Sequence, residues 1–314
     1  MKLNLFDLHC DTALSVFNSN GNLDSNDFHI SLERASVFDK YVQVMAIWCP
    51  KEYDNDKGYK YFHHTLDYLL KCIEKSKIGA LQIRSANGLK STEGQKNPKN
   101  RIIVAVEDAR ILDGEADRLK VLYSRGVRFL TLLWSGVTCI GGAHDTDVGL
   151  SAFGKETVRK CLELGIVPDV SHASIRSFYD TAEIADEVKL PIVATHSDSY
   201  SVNRHTRNLN DKQFEYIVSC HGLVGINLFR EHLGTDTAGV DYAVRHIEKY
   251  MELGGEKTVC FGCDFDGCET PSDICGVSDL IKIADRLASL NYPQSLIDDI
   301  FYNNAYNFAI NNLK

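Results

Sequence analysis

Imidazoles and carboxylates recur in this chain at one kind of place, the carboxyl end of a short apolar run. His9 closes the run 4–9 with Asp11 just beyond it, Glu107 closes 102–107, His172 closes 166–172, His196 closes 192–196 and Asp264 closes 258–264. Two histidines from neighbouring runs, a His-x-Asp pair and further carboxylates make a borderline-hard ligand set suited to Zn2+ or a similar divalent ion. Three carboxylates in one mouth would raise one another's pKa strongly unless cations neutralised them, so the charge count favours two ions. Glu107 can bridge ions about 3.5–4 Å apart with a hydroxide held between them, the arrangement of metal-assisted hydrolysis. A single histidine at a strand end is more often structural than ligating. Five or six such residues at the same end of successive runs are hard to reach by accident.

Residues so far apart in sequence meet only if the runs that carry them converge. Eight apolar or β-branched runs, 4–9, 42–49, 102–107, 127–133, 166–172, 192–196, 223–228 and 258–264, alternate with amphipathic stretches, the pattern of parallel strands joined by crossover helices. The spacers carry helix stops: 155–164 ends at Gly165, 211–220 at Gly222 and 240–253 at Gly254-Gly255, each glycine placed for a left-handed C-cap. Eight strand–helix units predict an α/β fold, a closed (β/α)8 TIM barrel forming a single catalytic domain over 1–314. In such a barrel all strand carboxyl ends gather on one face. The segments 18–40 and 80–100 are expected to be loop insertions or small extra elements on the barrel, and 278–290 and 294–313 to be terminal helices that cover it. His63, His64 and His246, on expected helices, read as solvated.

The composition excludes other classes. With 34 Lys plus Arg against 43 Asp plus Glu, the net charge is −9, which leaves no basic face for nucleic acid or an anionic membrane. No run reaches the ~18 apolar residues of a membrane span, and the start MKLNLFDLHCDT lacks a leader's apolar core, so the chain reads as cytoplasmic. Its 10 cysteines then read mostly as small buried hydrophobes. Cys260-x-x-Cys263 lacks a second compact pair, and its spacing on a strand does not align the two thiols.

The motifs Phe6-Asp7-Leu8-His9-Cys10-Asp11, Val104-Ala105-Val106-Glu107, Gly149-Leu150-Ser151-Ala152-Phe153-Gly154, Asp169-Val170-Ser171-His172-Ala173-Ser174 and Thr195-His196-Ser197 resemble, with Arg207-Asn208 and Gly262-Cys263-Asp264-Phe265-Asp266-Gly267, those of the membrane (renal-type) dipeptidases. This is the zinc dipeptidase branch of the amidohydrolase-type barrels, peptidase family M19, and the resemblance covers nearly the whole chain in order. It implies a zinc-dependent dipeptidase with two Zn2+ ions, one on His9, Asp11 and Glu107, the other on Glu107, His172 and His196, and a metal-bridged hydroxide that attacks the peptide carbonyl. It implies Asp264 as the carboxylate that takes the water's proton and delivers it to the leaving amine. It also implies Arg207 as the receptor of the dipeptide's free α-carboxylate, a fork that limits substrate length. Without the resemblance Arg207 would read as a surface ion pair, and Asp266 reads as structural.

The chain departs from the family in one respect. After the fourth strand the family often carries a His that contacts the substrate carbonyl oxygen, whereas this segment is Leu132-Leu133-Trp134-Ser135, and an indole cannot take that role. His144, in Gly141-Gly142-Ala143-His144-Asp145, is the candidate substitute. The family often forms homodimers, but no interface is legible in the sequence. The secretion signal and lipid-anchor tail of the animal members are not visible here, so no membrane association is expected. Hydrolysis of a lactone, a β-lactam or an N-acyl amino acid on the same binuclear site is an alternative. So is a barrel that binds metal or peptide without turnover, for which the missing His is the argument.

Overall fold

A computed structural model describes residues 3–53, 55–90 and 99–314. Its parallel strands are β1 (Leu5–Cys10), β2 (Tyr41–Trp48), β3 (Ala80–Gln82), β4 (Asn100–Glu107), β5 (Val127–Thr131), β6 (Val167–Asp169), β7 (Val193–Ala194), β8 (Leu223–Ile226) and β9 (Val259–Phe261). They lie in the order β2, β1, β9, β8, β7, β6, β5, β4, and β2 pairs with β4 along the whole length of both, closing an eight-stranded ring. The eight expected runs are the eight ring strands. β3 stands outside the ring and pairs only with Asn100 to Ile102 of β4, before β5 takes over at Val104. It is a small extra element of the kind expected over 80–100, and it pairs what would otherwise be an open edge at the start of β4. Residues 91–98 of that insertion lie outside the described residues. Among the described residues no helix is long and apolar enough to cross a membrane.

Strand alternation sorts the side chains into two layers. Phe6, Leu8, Val44, Ile103 and Ala105 fill the ring, and Tyr302, Ala305 and Phe308 close its amino end. Val104, Val106, Met45 and Ile47 face the surrounding helices. Cys260 belongs to the inner layer and Cys263 to the outer, so the two thiols share no site. The expected terminal helix is Gln294–Asp298, a π turn Asp299–Asn303 and Asn304–Asn312 in succession. Asn304 Nδ2 fixes it to the barrel by donating to Glu256 O (2.9 Å) and Val259 O (2.8 Å).

Two of the three helix stops are as expected: Gly165 (φ 87°) follows the helix Ala152–Leu164, and Gly254 (φ 83°) follows Gly239–Glu252. After the helix Asp211–Ser219 the left-handed residue is His221 (φ 57°), not Gly222. Gly222 is required for space, because a Cβ there would stand 2.1 Å from Ile192 O.

Two features of the strands position the site. Between the pairs Asp7–Gln43 and Cys10–Met45, β1 carries one residue more than β2. This bulge turns two successive residues inward, so Leu8 packs in the ring and His9 stands above it at the mouth. Asp7 Oδ1 holds the bulge by accepting from His9 N (3.2 Å) and Cys263 N (3.0 Å). The second feature corrects the run boundaries: β6, β7 and β9 end before His172, His196 and Asp264, which occupy the loops just beyond. There buried carboxylates replace strand partners as acceptors. Asp169 Oδ1 takes the N–H groups of Ser171 and Thr195 (2.9 Å each), and Asp198 Oδ1 takes that of Asn227 (3.1 Å).

Candidate metal centre and active site

Glu107 ends β4 and continues inward the alternation of Ile103 and Ala105. Its Oε1 lies 3.1 Å from His172 Nε2 and 3.6 Å from His196 Nε2, while Oε2 lies 3.7 Å from His9 Nε2. One carboxylate thus faces two clusters. His9 Nε2 is also 3.6 Å from Asp11 Oδ2 and 3.9 Å from Asp264 Oδ1, and it is buried without a hydrogen-bond partner. The His9 and His196 rings stack with centroids 3.7 Å apart.

The surrounding hydrogen bonds fix the tautomers. His172 Nδ1 lies 2.9 Å from the carbonyl oxygen of Trp134 and can only donate to it. Thr195 Oγ1 spends its proton on Asp169 Oδ2 (2.6 Å), so it must accept from His196 Nδ1 at 2.8 Å. Both Nε2 atoms therefore carry lone pairs, and they stand 3.0 Å apart. Burial, reinforced for His172 by Arg207 and for His196 by His9, holds both imidazoles well below their usual pKa, and hence neutral. Two imidazole acceptors and a carboxylate oxygen converge with no proton between them, a geometry that a cation satisfies. Ligand atoms of Glu107, His172 and His196 group within 4.8 Å, as do those of His9, Asp11 and Asp264. These residues fit divalent metal. Asp169 also falls within that distance of His9 and His196, but its oxygens already accept four hydrogen bonds, two of them from Thr131 Oγ1 and Thr195 Oγ1.

His172 (φ 68°) and Asp264 (φ 60°) both adopt left-handed backbone, conformational strain of the kind that gathers at functional sites. Burial raises the Glu107 carboxyl, with Asp11 adding to it, and burial pushes Asp264 to about 7 against the pull of His9. For His9, burial acts downward, but the Glu107 and Asp11 carboxylates outweigh it and hold the imidazole well above its ordinary value. Asp264 Oδ2 accepts from Asn227 Nδ2 (3.2 Å).

Arg207 is brought to the same mouth and is not at the surface; only 3% of it is exposed. Nη1 donates to Ser197 Oγ (2.9 Å) and Nη2 to His196 O (3.0 Å), while Nε is buried without a partner. Among the described residues no acid pairs with it; Asp264, Asp169, Glu107 and Asp198 act on it only through space. His144 also reaches the mouth, with Nδ1 3.0 Å from Thr206 Oγ1 and its pKa lowered to about 4 by burial and Arg207. A cavity of about 500 Å³ is lined by Asp11, Glu107, Trp134, His144, Arg207 and Asp264, among others.

All eight residues singled out in the sequence are therefore gathered here. Asp266 is structural as expected, its oxygens taken by Thr12 Oγ1 and His29 N (2.6 Å each). His246 corrects the sequence reading, because it is fully buried and accepts from Ser199 N at 3.0 Å. Not singled out in the sequence were Asp7, Asp169, Thr195 and Asn227, described above, and His232, which lines the same cavity as Arg207 and Asp264. The aspartates and Thr195 each stand within three residues of a candidate ligand, the signal that could have found them. His232 carries no such signal.

The family model of the membrane dipeptidases, peptidase family M19, matches residues 1–308. The chain belongs to this family. Membership makes it a metallo-dipeptidase by class, on a barrel the family shares. Among solved structures it is similar over 100% of its length to the dipeptidase AC, a metallo peptidase of family M19, with a TM-score of 0.90, 25% identity and 99% of that chain covered. It superposes with a TM-score of 0.91 on a metallo peptidase of Rhodobacter sphaeroides liganded with a phosphinate mimic of the dipeptide L-Ala-D-Ala, at 24% identity and with all of both chains covered. A protein of Klebsiella pneumoniae encoded in the pqqA 5' region is 31% identical over 65% of this chain and 79% of its own length. An uncharacterised dipeptidase of Schizosaccharomyces pombe is 30% identical over 62% of this chain, a match that spans 48% of that larger protein.

Proposed function

We propose that this dipeptidase works with two divalent ions, zinc by the nature of the donors, one held by His9, Asp11 and Glu107 and the other by Glu107, His172 and His196. Bound there, the metal supplies Lewis acidity toward the peptide carbonyl and lowers the pKa of a coordinated water to about 7. The observation that carries this reading is that the acceptors converging on Glu107 Oε1 open into the same cavity as a buried guanidinium with no acid partner.

Asp264 is the proton carrier. Burial keeps its carboxyl near 7, Asn227 anchors Oδ2, and Oδ1 is left to face the site. Cations nearby favour its ionised form before attack, so it can accept a proton from water and deliver it to the leaving amine. Arg207 receives the substrate's α-carboxylate through Nε and the unused hydrogens of Nη1 and Nη2. Because recognition rests on a free carboxylate, a longer peptide, which presents a neutral amide at that point, forfeits the ion pair, which limits the substrate to two residues. His144, neutral at pH 7, is the group we assign to the carbonyl oxygen in place of the family histidine.

The test is a substrate panel on zinc-loaded protein. L-Ala-L-Ala and L-Ala-D-Ala are expected to be hydrolysed, whereas Ala-Ala-Ala and N-acetyl-Ala-Ala are not. Turnover of the tripeptide at a comparable rate, or of N-acyl amino acids or lactones in preference to dipeptides, would overturn the reading.

A further inference from the structure

The Trp134 side chain, which stands where the family carries histidine, has no part in the mechanism above. The mouth divides at His144, His172 and Arg207 into two chambers. One, of about 500 Å³, contains Asp11, Glu107 and Asp264, and its apolar wall is made by Leu14, Trp48, Trp134 and Phe229. The other, of about 390 Å³, holds none of those acids and is lined by polar groups that include Arg176, Asn210 and Gln213. With the α-carboxylate on Arg207 and the scissile carbonyl beside Glu107 and Asp264, the amino-terminal residue of the substrate must lie in the first chamber.

The Trp48 and Trp134 indoles meet there with centroids 5.0 Å apart at 52°. Lys51 Nζ sits 4.8 Å from the Trp134 ring and lines a neighbouring cavity, so the wall is backed by a cation outside this chamber. The main chain of Trp134 is tied through its carbonyl to His172, which fixes the indole relative to the reacting groups. A wall so built offers dispersion and apolar burial and no hydrogen-bond acceptor.

We propose that Trp134, with Trp48, forms the specificity pocket for the substrate's amino-terminal side chain and selects bulky uncharged residues, aliphatic or aromatic. The inference rests on the dipeptidase reading and on the carboxylate lying at Arg207. A side chain that fills such a pocket gains about 10- to 100-fold in kcat/KM, the factor that corresponds to burying a whole Leu or Phe side chain out of water.

The experiment measures kcat/KM of the zinc-loaded enzyme for Gly-Ala, Leu-Ala, Phe-Ala, Asp-Ala and Lys-Ala, then for Trp134→Ala and Trp134→Phe. Leu-Ala and Phe-Ala are expected to exceed Gly-Ala by about 10- to 100-fold and to exceed Asp-Ala and Lys-Ala by more. Trp134→Ala is expected to shrink the Leu-Ala to Gly-Ala ratio to a few-fold, and Trp134→Phe to retain most of it. Because the readout is a ratio, a general loss of activity does not mimic it. Equal rates across the wild-type series, or an unchanged ratio in Trp134→Ala, would overturn the inference and leave the dipeptidase reading intact. Should Trp134→Ala fail to fold, the wild-type series and Trp134→Phe still decide. No turnover of any dipeptide would overturn both.

Discussion

Replacing Arg207 by methionine keeps most of the side chain's volume and removes its charge. The native guanidinium is 3% exposed, has two hydrogen bonds to Ser197 Oγ and His196 O, and leaves Nε buried with no partner. A buried cation in that state carries a desolvation penalty of several kcal/mol that only an anion offsets. If that anion is the substrate's carboxylate, removing the guanidinium strands it, at a cost of about 2–5 kcal/mol. At tenfold per 1.36 kcal/mol this is a fall of about 30- to 5000-fold in kcat/KM. Folding is affected in the opposite sense: two hydrogen bonds of about 1 kcal/mol each are lost, but so is the desolvation cost of a buried cation that no acid contacts directly, so the melting temperature should stay within about 4 °C of wild type. The assay compares Ala-Ala with its carboxamide, Ala-Ala-NH2, in both proteins. Wild type should prefer the free acid by the factor above and Arg207→Met should be nearly indifferent. A variant that still prefers the free acid, or one that melts more than ten degrees lower, would show the arginine to be a structural strut and not the carboxylate's receptor.

Three further outcomes are expected. Asp264→Asn should lower kcat about 10²- to 10⁴-fold with metal content unchanged, since the amide keeps the shape but cannot accept a proton; unchanged kcat would remove its role. Thr195→Val leaves Asp169 Oδ2 without one donor and His196 Nδ1 without its acceptor, and should weaken metal binding about 10- to 100-fold by calorimetric titration, whereas Thr195→Ser should not. His246 has its pKa lowered to about 4 by burial, so the unfolded chain takes up a proton first as the pH falls. Its contribution is complete above about pH 6.5 and lost as the pH drops toward 4. The urea-stability gap between wild type and His246→Gln should narrow over that range by about 3 kcal/mol, and a pH-independent gap would contradict this.

The ring was legible because a barrel interior demands alternating apolar residues, and Val42, Val44 and Ala46 or Ile103 and Ala105 announce it. The ligands were legible because imidazole or carboxylate in place of the next apolar residue is costly to bury without a partner. What was hidden depends on contacts distant in sequence. Nothing in Leu8-His9 says that a bulge turns both inward; that follows from pairing with β2 and from Asp7 reaching Cys263. Nothing in the residues around Asp169 shows that Thr131 and Thr195, from neighbouring strands, both donate to its Oδ2. His246 sits on an amphipathic helix, and only Ser199 N and Leu233 O, both remote, make its burial tolerable. β3 carries no strand signal at all, being Ala-Leu-Gln, and exists because an edge of β4 was open.

On the proposed reading, five side chains at the carboxyl ends of four ring strands hold two divalent ions. Metal content measured by plasma mass spectrometry after chelator stripping, zinc reloading and desalting tests it directly. Two equivalents per chain are expected, falling to about one in His172→Ala and in Asp11→Ala, with dipeptide hydrolysis returning only on reloading. Stripped protein that hydrolyses dipeptides at the native rate, or variants that still hold two equivalents, would contradict it.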